Sequence, residues 1–290
     1  RPLHWLTLLY GERSLTCKIK GIDADCITYG HRFHAPAAIK LKSPADYESA
    51  LAAAQVIASF EQRKQSILDQ LKTISDDLGA ILDYEDSLLE EVCNLVEYPN
   101  AIIGQFDAKF LDIPQEVLVV TMQESQRYFP LYRKDDKHLL PQFITIANIK
   151  STRPEVIQQG NERVIRPRFE DAEFFWQRDK TQSLESRVDK LNGILFEKKL
   201  GSIADKGNRC AQIAAILATK FDINTKLAQR ACMLCKCDLL TEMVTEFPKL
   251  QGIMGRYYAQ HDGEEESLAV AIEEHYWPLK SGAVIPSSQL

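Results

Sequence analysis

The chain has 290 residues, of which 45% are hydrophobic and 26% are charged, and its formal net charge is −6. This length favours two domains with a substantial buried core, and the acidic balance argues against a protein that coats nucleic acid through general basic charge. No apolar run reaches the roughly 18 to 20 residues that span a bilayer, and seven cysteines without framework spacing favour reduced thiols in a cytoplasmic protein.

Residues 1–150 have the patterning of a mixed α/β domain. Short alternating apolar runs are separated by glycine and polar turn residues, which is typical of strands. Two of these runs flank the polar turn 134–138 and therefore predict a hairpin. The predicted strands cover residues 3–10, 14–20, 101–106, 127–132 and 143–148, with a further short strand between Gly21 and Gly30.

A helical insertion over about 44–98 interrupts this domain. The sequence Ser43-Pro44-Ala45-Asp46 combines a capping hydroxyl, a proline and a carboxylate, and predicts a long helix that runs to about Ser75. Apolar residues at three-to-four spacing from Leu88 predict a second helix, which Pro99 stops. After the insertion, a short apolar helix is expected over about 114–122.

Beyond residue 150 the pattern becomes helical. Residues 151–200 predict a charged helical connector that is broken near Gly160 and Pro167. Residues 201–290 predict an all-helical domain, because three-to-four spacing of apolar residues dominates there. The helices expected in this domain cover residues 203–220, 224–247, 252–260 and 265–276.

An aromatic cluster lies within the charged connector. It consists of Phe169, Phe174, Phe175 and Trp176. Such rings can stack on a flipped or terminal base, but aromatic residues at helical spacing more often fill a core. We therefore expect core packing.

Two groups of side chains have the residue types of a metal site without its spacing. Cys232, Cys235 and Cys237 lack a second ligand pair, and their spacing favours packing as small apolar residues. His31 and His34 have no neighbouring His or Cys pair, so a loop that packs or hydrogen-bonds locally is favoured. The sequence therefore predicts no metal site.

Motifs for ATP chemistry and for nucleophilic catalysis are absent from the sequence. It contains no GxxxxGK[ST] phosphate loop, no GxGxxG after a strand and no GxSxG elbow. The sequence therefore predicts no catalytic residue and no cofactor site in this chain.

Several long, irregular strings of residues are specific enough to indicate a family. The longest is TEMVTEFPKLQGIMGRYYAQHDGE, and the others are GHRFHAP, VLVVTMQESQRYFPLY, LLPQFITIANIKS, GNERVIRPRFEDAEFFWQRD and LFEKKLGSIADK. In amino-acid sequence and in their order along the chain, they resemble the beta subunit of the bacterial two-subunit glycyl-tRNA synthetase. The chain begins at Arg1-Pro2 without an initiator Met, so we expect an internal piece of a longer subunit.

This resemblance implies a fold and a division of labour. It implies an α+β chain in which an editing-type domain, similar to one in the phenylalanyl-tRNA synthetase beta subunit, precedes a truncated, all-helical HD-like domain. In the family, the alpha subunit forms the adenylate with ATP and Mg²⁺, whereas the beta subunit chiefly holds tRNA. The resemblance thus implies a tRNA(Gly)-binding subunit of a glycine-tRNA ligase with two alpha and two beta subunits. By itself the chain is expected to form no glycyl-adenylate.

The HD-like part leaves other functions open. HD-superfamily phosphohydrolases hold a metal with a helix-borne His, a His-Asp pair and a later Asp. Here Cys237 precedes Asp238, and the pair His261-Asp262 stands before Gly263 in a predicted loop. A scaffold without metal is therefore favoured over a metal-dependent phosphohydrolase, and a non-catalytic interaction scaffold is the third hypothesis.

A run of basic residues provides the candidate RNA-binding positions. Five cations face two carboxylates between positions 150 and 168, and guanidinium groups both contact phosphates and stack on exposed bases. An ion-paired surface is the alternative, because acidic residues follow from Glu170 onward. The resemblance favours RNA binding over an ion-paired surface. The candidates are Arg163, Arg166 and Arg168, with Lys150 and Arg153 as weaker ones.

Overall fold

A computed structural model describes residues 3–288 and residue 290, which form two compact units. The first contains the residues up to Lys109 together with Thr121–Arg166, and the second contains Phe110–Val120 together with the residues from Pro167 onward. Small sheets and α-helices confirm the predicted α+β class. Among the helices of the described residues, none is long and apolar enough to cross a membrane.

Short strands make up the start of the first unit, as predicted, but the single strands expected over 3–10, over 14–20 and between Gly21 and Gly30 are each divided or shortened. They are β1 (Leu6–Thr7), β2 (Leu9–Tyr10), β3 (Arg13–Ser14), β4 (Lys18–Ile19), β5 (Ile22–Asp25), β6 (Ile27–Tyr29) and β7 (Ala38–Lys40). Strands β1, β5 and β4 form one sheet, in which β1 runs parallel and β4 antiparallel to β5. Strands β2 and β3 form a hairpin around Gly11, and β6 pairs with β7.

A four-stranded antiparallel sheet forms the centre of the first unit. Its strands are β8 (Ala80–Leu82), β9 (Asn100–Gln105), β10 (Phe129–Arg133) and β11 (Leu139–Ala147), in the order β8-β10-β11-β9. The β10–β11 hairpin and strand β9 confirm the predicted elements. Gly104 on β9 faces the ring of Phe143, which a Cβ atom there would approach to 2.3 Å. The glycine therefore leaves room for this ring, on which Tyr128 stacks at 4.4 Å.

The helical insertion packs on this sheet, but its first helix is shorter than expected. The single helix predicted to reach Ser75 is two, α1 (Tyr47–Ala53) and α2 (Phe60–Asp77), followed by α3 (Asp86–Leu95). The break occurs because Gln55 has a φ of 60° and the amide of Ile57 donates to the carbonyl of Glu97 at 2.8 Å. The core between helices and sheet contains Ile67, Leu71, Ala80, Leu88, Leu89, Val92, Cys93, Val96, Phe129, Leu131 and Ile144.

Helix α4 (Gln115–Val120) matches the predicted short helix and continues as a π-helical segment, Thr121–Gln126. Helix α5 (Pro154–Asp179) is continuous, so the breaks expected at Gly160 and Pro167 are wrong. Glycine costs a helix about 1 kcal/mol and proline about 3 kcal/mol, whereas each large apolar side chain contributes about 1.5–3 kcal/mol when buried. The buried side chains that offset these costs are Ile165, Phe169, Ala172 and Trp176.

The second unit is helical apart from a short ribbon. A 3₁₀ segment, Glu185–Gly193, leads into β12 (Leu195–Glu197) and β13 (Gly201–Ser202). Past Ser202 the described residues contain helices and no strand. The helices are α6 (Ile203–Phe221), α7 (Thr225–Leu234), α8 (Glu242–Glu246), α9 (Ile253–His261) and α10 (Glu266–Glu274).

The helix expected over 224–247 is interrupted, and buried polar side chains cause the interruption. A 3₁₀ turn, Cys237–Leu240, separates α7 from α8. Thr241 then starts α8 by accepting a hydrogen bond from the amide of Val244 at 3.2 Å, and the carboxylate of Asp179 accepts the amides of Glu242 and Met243 at 3.0 Å each.

Candidate RNA-binding surface

Helix α5 carries the three strongest candidates for RNA binding. Arg163 and Arg166 are exposed and lie one turn apart in the first unit. Ile165 between them is fully buried, which sets the side of the helix that is turned to the core. Arg168 is also exposed but belongs to the second unit. No described residue forms an ion pair or hydrogen bond with any of these three guanidinium groups. The structure therefore brings Arg163 and Arg166 together on one turn, whereas Arg168 is described with the second unit.

The two weaker candidates differ from each other in their partners. Nε of Arg153 lies 3.2 Å from Oε1 of Glu155, and both side chains are exposed. Such an exposed pair contributes about 0–1 kcal/mol, but it neutralises part of the charge that a phosphate would meet. The ammonium group of Lys150 has no ion-pair partner among the described residues. Lys150 is thus the freer of the two cations.

A buried histidine places a loop beside Lys150. His31 is 1% exposed, and its Nε2–H donates to the carbonyl of Asn148 at 2.7 Å. Its Nδ1 accepts from the amides of Phe33 and His34 at 3.3 Å each, which fixes a neutral imidazole with the proton on Nε2. The amide of Lys150 donates to Nε2 of His34 at 3.2 Å. The loop that packs or hydrogen-bonds locally, predicted for His31 and His34, is confirmed at Nδ1 of His31, whereas Nε2 of each imidazole bonds to a residue more than a hundred positions away.

The aromatic cluster of α5 is divided between core and surface. Phe169 and Trp176 are 0% and 8% exposed, so core packing is confirmed for them. Phe174 is 56% exposed, and core packing is wrong for this residue. Its ring contacts Phe175 edge-on and lies 5.8 Å from the guanidinium carbon of Arg178. Only Phe169 and Trp176 of the cluster therefore lie on the buried face of α5.

The cysteines near α7 are free thiols in an apolar setting. Cys237 is fully buried, as core packing predicts, whereas Cys232 and Cys235 are partly buried and line a cavity of about 280 Å³. Burial raises the pKa of Cys235 and of Cys237 to about 12. Protonated thiols are poor metal ligands. Within residues 3–288 and 290, no group of three or more His, Cys, Asp or Glu side chains is arranged to hold a metal ion.

The residues considered for an HD-type site have separate structural roles. Asp238 is 0% exposed, and its Oδ2 accepts a short hydrogen bond of 2.5 Å from the amide of Gly252. Oδ2 of Asp262 accepts from the amide of Leu184 at 2.7 Å. His261 is exposed and is the last residue of α9, so the loop predicted for it is wrong. These contacts join loops and helix starts within the second unit.

Sequence reasoning missed the exposed pair Arg32 and Phe33, whose loop contacts the backbone of Asn148 and Lys150 through His31 and His34. Phe33 is 72% exposed and Arg32 is exposed. The only signal in the sequence is the string GHRFHAP itself, which does not report a contact more than a hundred residues away. The pairing of this loop with the candidate Lys150 therefore came from the fold.

Comparison with known proteins identifies the family. A family model described as glycyl-tRNA synthetase beta subunit matches residues 1–290. The chain is 45% identical over 289 residues to the glycine-tRNA ligase beta subunit of Hahella chejuensis and 45% identical over 288 residues to that of Pseudomonas syringae pv. tomato. It is 46% identical over 292 residues to that of Coxiella burnetii.

These alignments cover nearly the whole chain but a smaller share of each relative. They include 99% of this chain for the first two relatives and 100% for the third, and 42% of the length of each relative. The family match extends from the first residue to the last and agrees with the relatives. The chain belongs to the glycyl-tRNA synthetase beta subunit family.

Proposed function

We propose that this chain is a tRNA-engaging part of a glycine-tRNA ligase beta subunit and that it contributes to the glycylation of tRNA(Gly). The names of its relatives and the family match over 1–290 support this assignment. The sequence lacks motifs for ATP chemistry, so adenylate formation with ATP and Mg²⁺ is assigned to an alpha subunit. This chain then contributes binding and positioning of the tRNA.

The observation that carries the proposal is the pair Arg163 and Arg166. Both are exposed, one helical turn apart, and free of a carboxylate partner among the described residues. An arginine already paired with a carboxylate must break that pair before it binds a phosphate, whereas these two need not. Each phosphate contact also releases a condensed counterion, which adds to affinity at low salt. Arg168 and Lys150 are proposed as further contacts, and Arg153 as a weaker one.

The family also supports a finer description of the whole ligase. We place the chain in a cytoplasmic heterotetramer of two alpha and two beta subunits. Residues 1–150 are proposed as an editing-type α/β domain and residues 201–290 as an HD-like domain, joined by the charged connector 151–200. The editing-type and HD-like assignments are analogies of fold and carry no hydrolytic activity with them.

The experiment that tests the proposal uses the assembled ligase, formed from the alpha subunit and the beta polypeptide that carries this sequence. The test variant is Arg163→Gln/Arg166→Gln. The matched control is Arg178→Gln on the same helix, because Nη1 of Arg178 already lies 3.1 Å from Oε1 of Glu242. Titration with tRNA(Gly) at several salt concentrations gives the affinity and the slope of log K against log salt.

We expect the double variant to bind tRNA more weakly and to lose roughly 0.7–0.9 of salt slope per removed contact. Arg178→Gln should retain both values. Gel filtration of each ligase checks that alpha and beta still assemble. A double variant that assembles and keeps the original affinity and slope would overturn the assignment of this surface to tRNA.

A further inference from the structure

The loop His31–His34, called the His31 loop below, is held rigidly against Asn148 and Lys150. Besides the contacts of the two imidazoles described above, Oδ1 of Asn148 accepts the amides of Glu97 and Tyr98 at 2.8 and 2.9 Å. One asparagine thus ties the end of β11 both to the loop and to the segment after α3. The loop has few ways to move without breaking several hydrogen bonds at once.

Aromatic packing beneath the loop adds to this rigidity. The ring of Tyr98 lies edge-on to His31 and His34, with centroid distances of 6.1 and 5.8 Å. The two imidazoles lie 4.6 Å apart. Edge-on aromatic contacts of this kind contribute about 0.5–1.5 kcal/mol each beyond the area that they bury. The loop backbone that carries Phe33 is therefore held in place by these contacts.

Phe33 is an exposed ring next to a buried one. It is 72% exposed, and its centroid lies 6.2 Å from that of the buried His31. Burial of such a ring against another flat surface is favourable by about 25 cal/mol for each Å² removed from water. A fixed phenyl ring loses little conformational freedom when a partner stacks on it.

Two exposed cations belong to the His31 loop or to the segment that contacts it. Arg32 precedes Phe33 in the loop, and Lys150 is joined to the loop through the amide contact with His34. Both side chains are exposed, and neither has an ion-pair partner among the residues that the structure describes. Proteins hold single-stranded nucleic acid with exposed aromatic rings, on which bases stack, and with cations that contact the phosphates. The His31 loop and the segment at Lys150 together supply one such ring and two such cations.

We propose that Phe33, Arg32 and Lys150 form a stacking platform for a single-stranded segment of the bound tRNA. This inference rests on the proposed function and adds a second contact surface to it. One unpaired base stacks on Phe33, and the flanking phosphates contact Arg32 and Lys150. A paired base has both faces covered by its neighbours in the helix stack, so a duplex region has no free base face that could stack on the ring. A phenyl ring has no hydrogen-bonding group, so the stacked base is not selected by sequence.

The test compares Phe33→Leu with Phe33→Trp in the assembled ligase. Leucine removes the flat ring and keeps an apolar side chain, whereas tryptophan keeps a flat ring and enlarges it. The control is Tyr10→Leu, because Tyr10 is 77% exposed in the same unit, on the β2–β3 hairpin. The readout is the dissociation constant for tRNA(Gly), with gel filtration to check assembly with the alpha subunit.

We expect Phe33→Leu to weaken tRNA binding by roughly 5- to 100-fold, which corresponds to the loss of one stacked base. Phe33→Trp should bind at least as tightly as the native ligase, and Tyr10→Leu should be unchanged. Arg32→Gln/Lys150→Gln should lower the salt slope by roughly 0.7 for each lost contact with a single strand.

Two further arms identify which single strand is bound. A tRNA that lacks its single-stranded 3′ end loses the sensitivity to Phe33→Leu if that end occupies the platform. An isolated anticodon arm keeps the sensitivity if the anticodon loop does. Either result supports the platform and names its ligand.

The failure of this inference is distinct from that of the proposed function. If Phe33→Leu binds tRNA normally while Arg163→Gln/Arg166→Gln binds weakly, the platform is rejected and the proposed function stands. If both bind normally, both are rejected. If Phe33→Leu instead prevents assembly with the alpha subunit, and Phe33→Trp does so as well, the ring belongs to a protein contact and the platform is again rejected.

Discussion

The phenolic hydroxyl of Tyr258 donates a hydrogen bond of 2.9 Å to Oδ2 of Asp179, a carboxylate that is 3% exposed. The same carboxylate accepts the first two amides of α8 and lies 3.9 Å from Nη2 of Arg187. Nη2 of Arg187 in turn donates to the carbonyl of Asp179 at 2.7 Å. The last residue of α5 thus joins α8, α9 and the 3₁₀ segment of the second unit.

Replacing Asp179 should therefore destabilise the second unit. In Asp179→Asn, an amide nitrogen replaces an acceptor of these donors, and the buried Arg187 loses its counter-charge. We expect a loss of about 3 kcal/mol in the free energy of unfolding, against about 1 kcal/mol for Tyr258→Phe. Urea denaturation gives the values, and hydrogen exchange of the α8 amides locates the effect. Asp171→Asn, at an exposed position of α5, is the control, and an equal loss there would contradict the prediction.

Asp238 should make stability fall as pH rises. Burial raises the pKa of this carboxyl group from 3.8 to about 6, although the amide of Gly252 opposes the shift. Between these two pH values the folded chain holds a proton that the unfolded chain has lost, so raising the pH through this window favours unfolding. Above the window the cost is on the order of 3 kcal/mol.

The measurement for this prediction is urea denaturation of the native chain and of Asp238→Asn from about pH 4 to pH 7. Asparagine keeps an acceptor for Gly252 and does not titrate. The unfolding free energy of the native chain should therefore fall, relative to that of Asp238→Asn, as the pH rises through this window. Parallel curves across the window would show that the carboxyl group at position 238 is already ionised at low pH in the folded chain.

Two helical glycines should respond oppositely to alanine. A Cβ atom at Gly255 would lie 2.6 Å from Cγ2 of Ile272 and 3.2 Å from Oδ2 of Asp238, so Gly255→Ala forces α9 and α10 apart. We expect it to cost about 1–3 kcal/mol. At Gly160 nothing lies within 4 Å, and Gly160→Ala should stabilise α5 by about 0.5–1 kcal/mol. Thermal unfolding of both variants checks the opposite signs, and two shifts in the same direction would refute the packing argument.

The sequence by itself determined the elements whose cause is local. The β10–β11 hairpin follows from a polar turn between two alternating runs, and Ser43 with Asp46 forms the predicted capping box. Helices α6, α9 and α10 follow from apolar spacing close to the predicted bounds. The irregular strings also sufficed to identify the family. In each case, residues a few positions apart decide the outcome.

Tertiary structure decided where those local rules fail. Pro167 does not end α5, because the burial of Phe169 and Trp176 outweighs the local cost of proline. The helix expected over 224–247 is interrupted, because the carboxylate of Asp179 accepts the amides of Glu242 and Met243. The apolar spacing around Pro167 and over 224–247 does not show which distant residues these side chains and amides contact.

The candidate surface shows the same division. Composition selected the five basic residues, but only the fold shows that Arg153 is paired with Glu155 while Arg163 and Arg166 are unpaired among the described residues. The fold also brings the His31 loop to Asn148, across 117 positions of sequence. Whether a charge is free, and which loop contacts its segment, depends on contacts between residues distant in the chain. Those contacts form only when the chain has folded.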